Sequence, residues 1–236
     1  MPSSQPAFFV TIQATHGHLD LAIQGMNFYN TYLRGELTAA KLPLVMRTQV
    51  GFEQKRLVGL LKKYRGLLFP SFSPGVPEDE TLIALAAQAA SVQRQLVRAY
   101  HEGGTQVELH LSEPDMRMLA QGVEYYSRFL GGQIRVYDLP HEVMVRVKEP
   151  DHTITELTTQ LQPLLFPTLA PHYRAGIGWS PNPLRQDLQR TYEFYKSIYL
   201  FDNTLRGVDN IHSTPVLHYS DYPLPVLTQY TSKTHE

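Results

Sequence analysis

The chain has 236 residues, 42% hydrophobic and 18% charged, enough for one large core or two domains of about 100 residues each. A formal net charge of −1 argues against a general nucleic-acid or anionic-membrane coat, although residues 1–103 hold 10 Lys+Arg against 7 Asp+Glu and the remainder 11 against 15. Without cysteine there is neither a disulfide framework nor thiolate chemistry; with no leader in MPSSQPAFFV and no apolar run approaching roughly 18 residues, a soluble cytoplasmic protein is expected.

Residues 7–14 alternate around Phe9, Val10 and Ile12 and predict a strand. Thr15 then serves as an N-cap, and Leu19, Ala22, Ile23, Met26, Tyr29 and Leu33 form a 3.6-residue apolar stripe that Gly35 ends. A strand or loop at residues 42–50 leads to a second helix over about 52–67. The run LLFP stops it, because Pro70 disfavours helical backbone in the residue before it. A third helix is expected over residues 79–100.

The same pattern then recurs, displaced by 97 positions and without a gap from Val10 on Val107 to Pro74 on Pro171. Val10, Gln24, Gly25, Tyr29, Leu33, Gly35, Leu42, Pro43, Val50 and Leu60 meet identical residues, and LLFP at 67–70 meets LLFP at 164–167. The second copy predicts a strand at 106–111 and an N-cap at Ser112, followed by Pro114 in the first turn and Asp115 as a capping-box acid. Met116, Leu119, Ala120, Val123, Tyr126 and Leu130 repeat the stripe, Gly132 the stop, and residues 151–165 the second helix. The third helix slips by about four residues: Asn182 caps it, Pro183 opens it, and it carries the ridge Tyr192, Tyr195, Tyr199. The tail after Asp202 has no counterpart, and TPVLHYSDYPLP reads as an edge strand or strap. The expected fold is α+β: two tandem related units, residues 1–103 (diverged) and 104–236 with the tail, each ordered strand, helix, strand or loop, helix, helix. They are expected to pack as a pseudo-two-fold dimer.

Three stretches are candidates for chemistry. His-x-His-x-Asp in THGHLD, at a strand end, is a spacing with which His16, His18 and Asp20 would share a metal in a metal-dependent hydrolase. Against that, the aligned Glu113, Asp115 and Arg117 start an ordinary helix, Leu21 stands where a further ligand would be needed, and His18 falls where a helix start places a capping acceptor. Lys55, Arg56, Lys62, Lys63 and Arg65 give the second helix of the first unit a basic face able to cradle a phosphate-rich ligand. The aligned His152, Thr153, Thr159, Gln160 and Gln162 are not basic, so any such role belongs to one copy, and a solvated helix face is the plain alternative. Third, Gln24-Gly25 and Gln121-Gly122 put glycine in mid-helix, at a cost of about 1 kcal/mol against alanine. That points to a close approach, either of the two helices to each other or of a ligand. Beside Gly122 only the second unit offers Tyr125, Arg128 and Gln133 together.

The segments LSEPDMRMLAQGVEYYSRFLGGQ, RTYEFYKSIYL and LHYSDYPLP resemble a family of small uncharacterised proteins from phages and prophage-bearing bacteria. That family carries an LsxxExxxLxxaLxxYxRxxxGQ helix, an AYxxYxxIR helix and an extended tail ending in PLP. The resemblance covers roughly residues 105–226, with Tyr199 where the family has arginine and Thr191 where it has alanine. It implies a phage-type source, hence the host cytoplasm, and a compact α+β fold; it adds weight to Arg128 and Gln133, and it implies no mechanism. No nucleophile elbow, P-loop or carboxylate pair assembles a catalytic set. The expected function is therefore that of a phage-type accessory protein that binds a small anionic or heteroaromatic molecule or a host protein, without cofactor and without catalysis, self-association being left open. Its site is expected where Gln121, Tyr125, Arg128 and Gln133 meet Tyr192, Tyr195 and the tail. The structural alternative for Arg128 is an ion pair with Glu124, one turn back.

Overall fold

Strands β1 (Phe9–Thr15) and β2 (Gln106–Ser112) pair antiparallel, and β3 (Val226–Tyr230) adds antiparallel to the other side of β1, giving the order β2-β1-β3. A computed structural model describes residues 8–68, 80–132, 151–166, 184–210 and 212–230. Alternation decides the two faces of the sheet. Val10, Ile12 and Ala14 are buried with Val107, Leu109 and Leu111 beneath the helices, while Gln13, Gln106, Glu108 and His110 face outward. On that outer face Gln13 Nε2 donates to Glu108 Oε1 at 2.8 Å and Thr11 Oγ1 lies 3.0 Å from His110 Nδ1, both between directly opposed residues.

Each of the first two strands runs straight into a helix. Thr15 and Ser112 are the last residues of β1 and β2 and also the N-caps of α1 (His16–Leu33) and α5 (Glu113–Gly131). Both have extended backbone, and their hydroxyls accept the His18 and Asp115 N–H groups at 3.3 Å, each contributing about 1 kcal/mol. Gly35 (φ 69°) and Gly132 (φ 59°) turn the chain out of these helices in the left-handed region.

The next helices close over those ends. Arg65 of α3 (Gln54–Leu68) donates Nε to the Tyr32 carbonyl at 2.9 Å and Nη2 to that of Leu33 at 3.0 Å. From α6 (Asp151–Leu165), Gln162 Nε2 donates to the Gly132 carbonyl at 3.1 Å. Arg65 is therefore not part of the outward basic face: it turns inward because the orphan carbonyls and the negative dipole end of α1 attract a guanidinium.

Residues 42–50 are not a strand. Leu42, Met46 and Val50 are buried at a spacing of four, and α2 (Leu44–Val50) forms after Pro43, between a 3₁₀ turn at Ala39–Lys41 and another at Gly51–Glu53. The aligned residues 139–147 lie outside the described residues, as do Gln133, Asn182 and Pro183. Helix α4 (Glu80–Glu102) packs on α1, and α5 packs on α1 and on α7 (Arg185–Arg206). α7 extends two turns beyond Tyr199 and ends at Gly207 (φ 62°). No helix among the described residues is long and apolar enough to cross a membrane.

β1 and β2 begin and end 97 residues apart, as do α3 and α6, and α1 and α5 begin 97 apart. At the centre of the β1–β2 ladder Ile12 faces Leu109, flanked by Val10 on Leu111 and Ala14 on Val107. Above them α1 and α5 cross closely. A Cβ on Gly25 would stand 3.2 Å from the Tyr126 ring; one on Gly122 would stand 2.4 Å from Met26 Sδ and 3.1 Å from the Tyr29 ring. Around the crossing Tyr29 meets Tyr125 (5.2 Å between ring centroids), Phe28 meets Tyr126 (5.7 Å), Tyr32 meets Tyr125 (5.1 Å), Phe28 meets Phe129 (5.2 Å) and Tyr32 meets Phe129 (5.5 Å). The mid-helix glycines thus serve helix crossing. Gly25→Val and Gly122→Val are each expected to lower unfolding free energy by about 1–3 kcal/mol through overpacking. Gly59→Ala, where nothing among the described residues lies within 4 Å, should raise it by about 0.5–1 kcal/mol; urea denaturation of the three variants measures the contrast.

Candidate functional site

The tail returns along α7 as a strap, held once per turn. Asn203 Nδ2 donates to Asn210 Oδ1 at 2.8 Å, Tyr199 lies on His212 with ring centroids 4.5 Å apart, and Lys196 Nζ donates to Thr214 Oγ1 at 3.0 Å. One turn further Tyr192 meets Tyr219 at 5.9 Å, and Arg190 lies over the Tyr222 ring at 4.2 Å. The strongest clasp is Glu193, wholly buried. Its carboxylate accepts the Tyr219 N–H, the Ser220 N–H at 2.7 Å and the Ser220 hydroxyl, so the desolvated charge is met by three donors. The strap then enters β3, so the edge strand expected from the proline-rich tail begins just after Pro225.

Tyr222 is seated at the start of α1. A Cβ on Gly17 would lie 2.3 Å from the ring, so only glycine admits it. Beside it His18 is 1% exposed, packed against Tyr222 (5.3 Å) and Phe194 (6.0 Å), with Nδ1 3.1 Å from Thr15 Oγ1. Its Nε2 has no hydrogen-bond partner among the described residues. Burial lowers the His18 pKa from 6.5 to about 4, with Arg190 and His218 acting in the same direction and Glu193 opposing them.

Between the first turns of α7 and the strap opens a cleft of about 230 Å³, lined by Arg185, Gln186, Gln189, Arg190, Ser220 and Asp221 among others. Arg185 is the first residue of α7, where a cation faces the positive end of the helix dipole. Leu184, at the cap position, offers no side-chain acceptor. Arg190 is held by the Tyr222 ring, and its buried Nε has no hydrogen-bond partner among the described residues. Asp187 is the nearby counter-charge; burial raises its pKa, followed in effect by Arg190, which lowers it, and Asp20, which raises it. Two guanidiniums and two side-chain amides converge on one opening beside the Asp221 carboxylate, a donor-rich set suited to carboxylate or phosphate oxygens, while the Ser220 hydroxyl is committed to Glu193.

The residues expected to form the site are arranged differently. Gln121 Nε2 donates to the Tyr29 hydroxyl at 2.9 Å, and Tyr125 is buried in the ring cluster, so both serve the α1–α5 crossing. Arg128, half-buried, donates to Glu124 at 3.1 Å, the one-turn pair weighed as its structural role. Glu124 is buried between α5 and α7. Desolvation raises its pKa, opposed first by Arg128 and then by hydrogen bonding from Tyr199 and by Lys196. Tyr195 is buried, and Tyr192 lies beneath the strap against Tyr195 and Tyr219. The expected meeting of α5, α7 and tail thus exists as a buried polar network, while the open cleft lies at the N-terminal end of α7. Arg185, Arg190, Glu193 and Ser220 were missed; the one signal in the sequence was arginine placed where a helix start favours acids.

His16, His18 and Asp20 do not converge. His16 packs edge-on against Tyr100 at 4.8 Å, His18 points into the strap, and Asp20 accepts from Gln24 Nε2 at 2.8 Å. Among the described residues no three His, Cys, Asp or Glu side chains are grouped to hold a metal ion. Lys55, Arg56, Lys62 and Lys63 are all exposed on α3. Comparison with family models, with curated proteins and with solved structures finds no match to this chain.

His18 supplies a pH test. Its folded pKa lies below its unfolded value, so its neutral burial contributes fully above about pH 6.5, and that contribution is lost as pH falls towards 4. The loss is roughly 3 kcal/mol, partly masked by Glu124 and Asp187, whose raised pKa values act oppositely. The expected outcome is that the stability difference between wild type and His18→Gln shrinks by about this amount between pH 7 and 4, by urea melts at each pH. A pH-independent difference would contradict the buried neutral imidazole.

Proposed function

We propose that the protein acts by binding rather than catalysis, as an accessory protein of phage type, and that it takes a small anion in the cleft between α7 and the strap. The observation that carries this reading is Arg185 and Arg190 converging on one polar opening, with Arg185 placed against the helix dipole. A locally unfavourable charge retained at an opening is what an anionic ligand would offset. The ring of Tyr219, also lining the cleft, suits a ligand with a planar portion. The buried groups nearby are engaged in holding the strap, which favours a receptor over an enzyme.

The scaffold of this reading is a duplicated unit folded as an intramolecular pseudo-dimer. Supporting it are the element bounds 97 apart and the ladder centred on Ile12 and Leu109, two residues that are themselves 97 apart. The reciprocal pattern of Gly25 on Tyr126 and Gly122 on Tyr29 supports it too, as does the capping of α1 by Arg65 and of α5 by Gln162. The second unit alone adds the strap, and with it the cleft.

Mass spectrometry of small molecules released by denaturing the purified protein tests the binding reading. Wild type is expected to release an anionic compound that Arg185→Gln retains about 10- to 100-fold less, the worth of one charge-assisted contact, with an unchanged melting temperature. No released compound, together with no thermal shift from millimolar phosphate or citrate, would overturn the assignment.

A further inference from the structure

A second surface, independent of the strap cleft, lies on the outside of α3. Its inner side buries Leu57, Val58, Leu60, Leu61 and Tyr64, and its outer side exposes Lys55, Arg56, Gly59, Lys62, Lys63 and Gly66. Those positions run i, i+1, i+4, i+7, i+8, i+11, one continuous face along the helix. It carries four cations and no acid; Glu53, before the helix, reaches Arg56 only at 3.8 Å with both side chains more than half exposed. The two cation pairs are seven residues apart, about 10 Å along the axis.

The glycines single this face out. Mid-helix glycine costs about 1 kcal/mol against alanine, and at Gly25 and Gly122 a neighbouring side chain accounts for it. At Gly59 and Gly66 nothing among the described residues lies within 4 Å of where a Cβ would be, so no packing among them requires these glycines. Their effect is to leave bare helix between and beyond the cations. The fold does not ask for the cations either. On α6, displaced by 97, the corresponding positions hold His152, Thr153, Glu156, Thr159, Gln160 and Pro163. At the N-terminal end of the strip stands Phe52, wholly exposed.

We infer that the outer face of α3 docks single-stranded nucleic acid, whose phosphates follow the cation pairs across the glycine floor while an unpaired base stacks on Phe52. Cations that track a backbone, joined to an exposed aromatic ring, are the general means of gripping a single strand. A duplex would leave Phe52 without a base face to cover. An anionic bilayer would meet a strip whose floor is glycine rather than apolar side chains. The net charge of −1 confines the contact to this strip and makes it weak and salt-dependent.

The test is fluorescence anisotropy of a labelled oligothymidine of about 15 nucleotides with the full chain, over roughly 50–200 mM salt. Four phosphate contacts predict a slope of log K on log salt near −2.8, and Lys62→Gln/Lys63→Gln should bring it to about −1.4. Phe52→Ala should weaken binding about 5- to 100-fold with the slope unchanged. Gly59→Glu should abolish binding, while Gly66→Ala, an uncharged change on the same face, should leave the melting temperature no lower and the salt slope intact. Absence of binding at the lowest salt, binding indifferent to the lysine pair, tighter binding of the matching duplex, or capture by phosphatidylserine vesicles and not by the oligonucleotide would each overturn the inference.

Discussion

Gly25 and Gly122 let α1 and α5 approach until the Tyr126 ring lies just beyond where a Gly25 side chain would begin, and Met26 with Tyr29 where that of Gly122 would. Two consequences follow from that distance. The six rings of Phe28, Tyr29, Tyr32, Tyr125, Tyr126 and Phe129 interleave with centroids 5.1–5.7 Å apart, a large apolar burial with edge-to-face and tilted geometry. The strands that feed the two helices are also held side by side, because each cap residue joins strand to helix with no intervening loop. Sheet pairing and helix crossing are thus one constraint expressed in two layers, and widening either would open the other.

The strap depends on that frame. Its tyrosine Tyr222 sits in the notch that Gly17 leaves at the start of α1, and Glu193 gathers the Tyr219 and Ser220 donors from the α7 side. A buried carboxylate that meets two backbone N–H groups and a hydroxyl dictates where the strap must bend, since a displaced turn would leave a desolvated charge unpaired. The bend defines one wall of the cleft and α7 the other, so Arg185 and Arg190 face an opening whose width a single carboxylate sets.

Elements whose bounds lie 97 residues apart differ where charge is concerned. Their apolar residues and glycines correspond, as the crossing and caps require, whereas α3 presents Lys55, Arg56, Lys62 and Lys63 and α6 does not. Arg65 and Gln162, 97 apart, show the intermediate case: both cap the helix that precedes them, by different chemistry.

Much of the fold was legible in the amino-acid order because it rests on local chemistry. Thr15 and Ser112 cap because a short hydroxyl side chain competes for the first N–H groups of a helix, and Gly35 and Gly132 end helices because glycine tolerates positive φ. The displacement of 97 in the sequence matches the bounds of β1 and β2 and of α3 and α6. Residues 42–50, expected as a strand or loop, form a short helix instead, because their spacing of four emerges only once the buried side of α2 is known. Arg128, Tyr125 and Gln121 were expected together at a ligand site; whether they face a ligand or α1 and Glu124 depends on helix rotation, which local pattern does not settle. Ser220 lies 27 residues from Glu193 and 30 from Arg190 along the chain, and the three come together only when the strap doubles back along α7, a long-range closure fixed by burial of one carboxylate rather than by any neighbouring residue.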